Sequence, residues 1–263
     1  MSSRDRSISI LELLSTEASG FPINVVAKTL AMPLGATHRC LADLKERGYV
    51  EQSRDGGLYR LTPKIVTIGS RFLAVNGVGD VAQPVLDALA NATGELVRLA
   101  IATDRTLTFV AKAQPTGPRA SPLRYDPDDG AEVYLPAAAS GHAWLSTMGE
   151  KEAEAILAEY VERSGHYGPN APASLVEVSV YIAGARSNGF AAVNETYELG
   201  TSAVAVPVMH WSDDRAVGTL SIAGPSVRLN ERAIREAVPL LQAAGEELKW
   251  LCGRSRLFDR TVP

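Results

Sequence analysis

Ser140 and His142 are the residue types of a hydrolytic nucleophile and its general base, and only Gly141 separates them. Such a pair works only when the histidine ring nitrogen lies within hydrogen-bond distance of the serine hydroxyl, so that it can accept the proton. Two residues this close along a chain rarely face each other with that geometry. The sequence also lacks the Gly-x-Ser-x-Gly turn of the α/β-hydrolases. Hydrolysis of a small ester or amide is therefore kept only as an alternative function.

The sequence offers no pattern for a metal or a cofactor. Its four histidines have no metal-binding spacing such as His-Glu-x-x-His, and its two cysteines are too few for a disulfide framework. Neither a phosphate loop nor a dinucleotide-binding fingerprint occurs. We therefore predict that the protein needs no metal and no cofactor.

Arg39 and Arg54 are the side chains best suited to contact nucleic acid, because a guanidinium can pair with guanine or with a phosphate. Residues 1–65 contain nine Lys and Arg against seven Asp and Glu, whereas the rest of the chain contains 17 against 23. A weakly basic end on an acidic body fits DNA binding at that end only. A solvated position for Arg39 on an exposed helix face remains the alternative.

Apolar residues at helical spacing predict three short helices before residue 48. Their inner positions are Ile10, Leu13, Leu14, then Val26, Ala27, Leu30, and finally Thr37, Cys40, Leu41, Leu44. Ala31–Pro33 forms a turn into the third helix, because the residue before a proline avoids the helical region. Gly48 is suited to end that helix. This order indicates a helix-turn-helix.

Two alternating runs, 49–52 and 58–61, flank an Asp-Gly-Gly sequence that is typical of a hairpin turn. Arg54 stands at the tip, from which a wing can reach a phosphate or the minor groove. Residues 1–63 are therefore predicted to form a winged helix-turn-helix. A small helical domain with a solvated β-ribbon is the alternative.

The rest of the chain is predicted to be a linker and a larger domain. Residues 64–78 combine an amphipathic helix with a glycine-bearing hinge. Residues 79–263 alternate strands, near 96–101, 106–111, 190–194, 202–208 and 216–222, with helices near 151–164, 174–188 and 231–251. This order predicts an α+β domain, an antiparallel sheet with helices packed beside it. No apolar run approaches the roughly 18 residues of a membrane span, so we expect a cytoplasmic protein.

Several motifs together resemble the IclR family of transcription regulators. They are Ser7–Leu14, Pro33–Arg39, Leu44–Glu51, Tyr59–Leu61, Glu195–Gly200, Ala205–Val208 and Leu220–Pro225. They occur in the family's order and cover nearly the whole chain. The resemblance implies a GAF-like effector-binding fold for the C-terminal domain, double-stranded operator DNA as one partner and a small-molecule effector as the other.

The resemblance also implies which residues contact DNA. The third helix is the recognition helix, and its contacts are assigned to Gly35, Ala36, Thr37, His38 and Arg39, together with Arg54 on the wing. Family members often carry a Lys-Ser-Thr-like cluster where this chain has Leu34-Gly35-Ala36. Direct base contacts are therefore expected from Thr37, His38 or Arg39, and Ala36 is available to a thymine methyl group.

The effector site implied by the resemblance combines the segment 133–142, whose small residues are expected just before a helix, with positions on the sheet. Its residues are Tyr125, Val133, Leu135, Ala139, Ser140, Gly141, His142, Val193, Ala203, Ser221 and Ala223. Relatives often have cysteine at the position of Ala203, serine at that of Ala223 and lysine at that of His142. Losing polar groups at the first two positions implies an effector larger or more apolar than a two- or three-carbon acid. Tyr125, Tyr134 and Trp144 are candidates for an aromatic wall, although core packing explains Trp144 equally well.

The sequence thus predicts a DNA-binding transcription regulator controlled by a small organic effector, a carboxylate with an aromatic ring among the candidates. It is expected to act as a homodimer or homotetramer, because helix-turn-helix proteins usually read two half-sites with two-fold symmetry. An effector-independent DNA-binding scaffold is the second alternative. Whether the effector releases or promotes DNA binding stays open.

Overall fold

Four helices and a small sheet form the N-terminal unit of the computed structural model. The structure describes residues 3–53, 57–75, 78–116, 120–121, 123–125, 132–160 and 167–252. The chain divides into two units, Met1–Val75 and Asn76–Pro263, and the predicted linker 64–78 spans their boundary. The helices are α1 (Ser3–Leu14), α2 (Ile23–Thr29), α3 (Leu34–Glu46) and α4 (Lys64–Val75), and the strands are β1 (Phe21–Pro22), β2 (Val50–Gln52) and β3 (Leu58–Leu61). The predicted winged helix-turn-helix is confirmed.

The core of this unit is formed by the inner faces of α1, α2 and α3. Its fully buried side chains include Ile10, Val26 and Leu41, and Leu44 is almost as buried. Helix α3 ends where the sequence predicts. The Tyr49 N–H bonds to the Leu44 carbonyl at 2.9 Å, and Gly48 has a φ of +75°, the conformation that favours glycine after a helix.

Strand β1 is a difference from the prediction, which treated Gly20–Pro22 only as a break between helices. Phe21 pairs with Tyr59 in an antiparallel sheet of order β1-β3-β2. Gly20 permits this pairing, because its φ is +82° and a Cβ there would lie 2.3 Å from the Tyr59 carbonyl oxygen. Two residues are too short a segment for an alternating pattern to show a strand.

The second unit is built on a five-stranded antiparallel sheet of order β5-β4-β8-β7-β6. Its strands are β4 (Leu96–Thr103), β5 (Thr106–Ala113), β6 (Ala191–Asn194), β7 (Thr201–Met209) and β8 (Ala216–Pro225). Its helices are α5 (Val78–Thr93), α6 (Ala139–Leu145), α7 (Glu150–Leu157), α8 (Leu175–Asn188) and α9 (Glu231–Cys252), with a 3-10 turn at Ala158–Tyr160. The α+β class is confirmed, whereas the GAF-like assignment stays a prediction.

Helices cover both faces of this sheet. Along β7, Ala205 packs in a cluster with Ala139 and Ala143 of α6. The neighbouring Val206 points the other way, and its Cγ2 lies 3.2 Å from where a Cβ on Gly245 of α9 would be. Alternate residues of a strand point to opposite faces, so the sheet lies between α5 and α9 on one side and α6 and α8 on the other.

Two helix predictions need correction. The helix expected near 151–164 is α7 followed by the 3-10 turn, and residues 161–164 lie outside the described part of the chain. The small residues Ala139, Ser140 and Gly141 were expected just before a helix, and they form the first turn of α6 instead. Within the described ranges, each helix is too short or too polar to cross a membrane.

Candidate functional site

A narrow cavity lies between α6 and the sheet face that α6 covers. Seven residues predicted for the effector site line it: Tyr125, Ala139, Ser140, Val193, Ala203, Ser221 and Ala223. The centre of a water molecule can move through about 30 Å³ of this space. The sequence prediction therefore brought together residues from five separate segments that meet at one cavity.

The register of the sheet explains why these distant residues meet. Val193 of β6 lies opposite Ala203 of β7, and Ala203 lies opposite Ala223 of β8. Ser221, two residues before Ala223, lies opposite Arg98 of β4. Directly paired residues and residues two apart share one face of a sheet. The two alanines have short side chains, and the cavity lies above them.

Tyr125 belongs to no helix or strand, and hydrogen bonds hold its segment. Gln114 donates to the Tyr125 carbonyl oxygen at 2.8 Å, and Arg228 donates to the Leu123 carbonyl oxygen at 2.6 Å. Arg228 is itself fixed by both carboxylate oxygens of the buried Glu95, at 2.7 Å each. Burial raises the pKa of Tyr125 to about 12, so its hydroxyl stays protonated at neutral pH.

Four predicted effector residues do not line the cavity. Val133 and Leu135 are buried in a separate cluster that includes Leu107 and Leu157. Gly141 packs against the backbone of Leu135, with its Cβ position 2.3 Å from the Leu135 carbonyl oxygen. These three residues pack against other parts of the core, and Gly141 holds α6 close to Leu135.

His142 is the fourth, and its side chain is fully buried away from the cavity. Its Nε2 donates to the Pro136 carbonyl oxygen at 2.8 Å, and its ring stacks on Tyr181 with a centroid distance of 5.0 Å. The Nδ1 atom has no hydrogen-bond partner among the described residues. The ring is therefore a packed core histidine, and it does not serve as a base for Ser140.

The predicted aromatic wall is only partly correct. Tyr125 lines the cavity, but Tyr134 stacks on Tyr167 with ring centroids 3.9 Å apart, and Trp144 is buried in the core. Neither of these two rings borders the cavity.

Acidification is expected to destabilise the second unit through His142. Burial lowers the pKa of this histidine to about 4 from an ordinary value of 6.5. The folded state thus resists protonation while the unfolded state accepts a proton, so stability falls as the pH drops from 6.5 to 4, by about 3 kcal/mol. The measurement is the denaturant midpoint against pH for the wild type and His142→Gln. The wild type should lose more stability than the variant over this range, and parallel curves would contradict the assignment.

Six residues that were not predicted for the effector site also line the cavity: Arg98, Phe109, Ala138, Tyr197, Thr201 and Ser202. Arg98 is the one with a signal in the sequence, because it is the single charged residue in the strand Leu96–Thr103. Its Cζ lies 3.7 Å from the centroid of the Phe109 ring and 5.8 Å from that of Tyr125. Burial lowers the pKa of Arg98, yet a guanidinium remains charged at neutral pH.

Helix α3 exposes some of the residues predicted to contact DNA and buries others. Gly35, His38 and Arg39 are exposed on one side of the helix. Thr37 is fully buried and donates its hydroxyl to the Pro33 carbonyl oxygen at 3.2 Å, and Ala36 is also buried. We therefore correct the prediction for Ala36 and Thr37, whose side chains pack inside the unit.

Leu34 and Arg54 are two further positions of interest for DNA contact. Leu34, the first residue of α3, is 56% exposed although it is large and apolar. In the sequence, Leu34 was distinguished only as part of a departure from a polar pattern. Arg54 lies outside the described residues.

Across the described ranges, no three His, Cys, Asp or Glu side chains gather closely enough to hold a metal ion.

Comparison with known proteins covers both units. A family model of the bacterial transcriptional regulator IclR C-terminal domain matches residues 71–250, and a model of the IclR helix-turn-helix domain matches residues 3–54. The HTH-type transcriptional regulator BhcR of Paracoccus denitrificans is 28% identical over 94% of this chain and 85% of its own length. Both family models describe domains of a transcription regulator and this relative is named as one, which favours regulation over the hydrolase alternative.

Two solved structures share the fold. An IclR transcriptional regulator from Alicyclobacillus acidocaldarius matches with a TM-score of 0.81 and 23% identity, covering 95% of this chain and 98% of its own. An IclR homologue from Microbacterium hydrocarbonoxydans, solved with 4-hydroxybenzoate, matches with a TM-score of 0.76 and 19% identity, covering 97% and 100%. With family models matched over most of its length, the chain belongs to the IclR family of transcriptional regulators.

Proposed function

We propose that this regulator binds a small organic carboxylate in the cavity between α6 and the sheet, and that this binding changes its affinity for operator DNA. The observation that carries the proposal is the cavity itself, where predicted residues from five segments converge around a few polar groups. Ligand sites in proteins are concave and mostly apolar in this way. The cavity is narrow, so a ring-sized effector needs neighbouring side chains to move.

An aromatic acid is the effector class with the most support. Phe109, Tyr125 and Tyr197 supply ring surfaces, Ala203 and Ala223 supply a small apolar floor on the sheet, and Ala139 of α6 lines the opposite side. The relative from Microbacterium hydrocarbonoxydans was solved with 4-hydroxybenzoate, an acid of this class. A two- or three-carbon acid would leave most of this apolar lining without contacts.

DNA recognition is assigned to the exposed side of α3. Arg39 and His38 can reach base edges or phosphates, and Gly35 allows close approach at the start of the helix. Leu34 takes the role first given to Ala36, apolar contact with a thymine methyl group. Arg54 remains the proposed contact of the wing. Ala36 and Thr37 act indirectly, by packing α3 against its unit.

The protein is proposed to act in the cytoplasm as a homodimer or homotetramer. Two copies would read the two half-sites of a symmetric operator. Val66 and Val75 on α4 are 66% and 73% exposed, and no residue of that helix is buried within the single chain. A second copy that covers these side chains would remove apolar surface from water.

Selection of bound DNA from a random pool, followed by a screen of small acids against the selected sequence, tests the proposed function. An acid that changes the operator affinity of the full-length protein supports it. If the protein selects a sequence but no acid changes the affinity, the scaffold alternative replaces the effector-dependent one.

Replacing Arg39 with alanine is expected to weaken operator binding about tenfold, because one good guanidinium contact to a base is worth about 1–3 kcal/mol. The dissociation constant is measured at fixed salt on the selected operator. Arg235→Ala, on an exposed face of α9, removes the same charge from the second unit and should leave the affinity unchanged. Equal affinities for Arg39→Ala and wild type would remove Arg39 from the interface.

A further inference from the structure

Arg98 is the only charged side chain among the described residues that line the cavity. Arg98 is partly buried, and its buried Nε has no hydrogen-bond partner in the part of the chain that the structure describes. Among the described residues, Arg98 forms no ion pair with a carboxylate and its side chain donates no hydrogen bond. Charges taken out of water are usually paired, because an unpaired one is costly.

The surroundings of Arg98 leave the N–H donors of its guanidinium, which lie in one plane, available to a ligand. The Arg98 Cζ lies over the Phe109 ring, 3.7 Å from its centroid, a cation–π contact that satisfies none of the N–H donors of the guanidinium. These donors point outward in the plane of the group, where a carboxylate can accept two parallel hydrogen bonds. The aromatic contact thus fixes a cation whose donors remain free for an anion.

We propose that Arg98 is the residue that recognises the effector's charge, and that the effector is a monocarboxylate with an apolar body. This inference rests on the proposed effector function. The effector's carboxylate lies in the plane of the Arg98 guanidinium. Its body lies over Val193, Ala203 and Ala223, on the same sheet face.

The remaining lining explains why one carboxylate is accepted and two are not. The other polar side chains of the cavity are hydroxyls, those of Ser140, Ser202, Ser221, Thr201, Tyr125 and Tyr197. These groups can hydrogen-bond a ligand hydroxyl or carbonyl, but they cannot neutralise a second charge. The Glu198 carboxylate, which contacts the Tyr125 hydroxyl, would repel it.

Thermal shift and calorimetric titration of the full-length protein with matched probes test this assignment. The probes are benzoate, 4-hydroxybenzoate, phenylacetate, cinnamate and the linear acids of four to ten carbons, each with its primary amide, plus terephthalate and phenyl phosphate. At least one monocarboxylate should bind, its amide should bind at least 30-fold more weakly, and the two dianions should not bind.

Arg98→Gln should weaken the active acid about 30-fold, the loss expected for hydrogen bonds to a charged group, and should leave the amide unchanged. Arg98→Lys keeps the positive charge but lacks the planar guanidinium, so its affinity for the acid should lie between those of the wild type and Arg98→Gln. Arg235→Gln is the control for a lost positive charge, and denaturant unfolding followed by a probe of the second unit shows that each variant is folded.

The outcomes separate this inference from the function on which it rests. If no probe binds the wild type, the proposed effector function fails with it. If a probe binds but its amide binds equally well, a dianion binds better, or Arg98→Gln binds the acid as tightly as wild type, the assignment of Arg98 is overturned and the effector function stands.

Discussion

Ala203→Trp is expected to weaken effector binding at least 100-fold while leaving operator affinity within about twofold of the wild type. Ala203 lies in the centre of the cavity floor, between Val193 and Ala223 on the neighbouring strands. An indole ring in this position occupies the space in which the effector body would lie. The second unit should lose about 1–3 kcal/mol of stability through overpacking.

The measurement is the effector dose that changes operator binding, for the wild type, Ala203→Trp and the milder Ala203→Val. The valine variant narrows the cavity without filling it, so its response should be intermediate. Ala155→Trp, on the exposed side of α7, controls for a tryptophan elsewhere and should respond normally. A normal response from Ala203→Trp would show that the effector binds at another site.

Gly141→Ala is expected to cost the second unit about 4 kcal/mol, at the upper end of single-substitution effects. A Cβ on Gly141 would lie 2.3 Å from the Leu135 carbonyl oxygen and 2.5 Å from the Leu135 Cα. Both atoms belong to the backbone, so no side chain can rotate to make room. Helix α6 would have to move away from Leu135, and the cavity-lining residues Ala139 and Ser140 would move with it.

Gly184→Ala in α8 is the matched control. Nothing lies within 4 Å of its Cβ position, so alanine should stabilise the helix by about 0.5–1 kcal/mol. Denaturant unfolding of the full-length protein, followed by a probe of the second unit, distinguishes the two variants. Similar midpoints for Gly141→Ala and the wild type would contradict the close packing of α6 against Leu135.

The N-terminal unit could be predicted from the sequence because its signals are local. Helical spacing, the turn before Pro33 and the glycine at 48 each act within a few residues. Strand β1 was missed because its pairing with Tyr59 depends on residues almost forty positions away. The helical spacing of the apolar residues predicted that Thr37 points into the core, as it does in the structure. The assignment of Thr37 to DNA contact conflicted with that spacing.

The cavity could be predicted only in part, because it depends on how strands pair. Arg98 and Ser221 are neighbours solely through the β4–β8 register, which no local pattern reveals. The segment 133–142 was assigned to the site as a block. Helix α6 divides that block, turning Ala139 and Ser140 toward the cavity and His142 toward Tyr181.

The alanine positions on the cavity floor have a consequence for how this regulator can evolve. Ala203 and Ala223 face each other on adjacent strands whose pairing uses only backbone atoms. A single codon change at either position alters the shape of the cavity and leaves that pairing and the DNA-binding unit as they are. New effector preferences can therefore arise in small inherited steps, with the set of controlled genes unchanged.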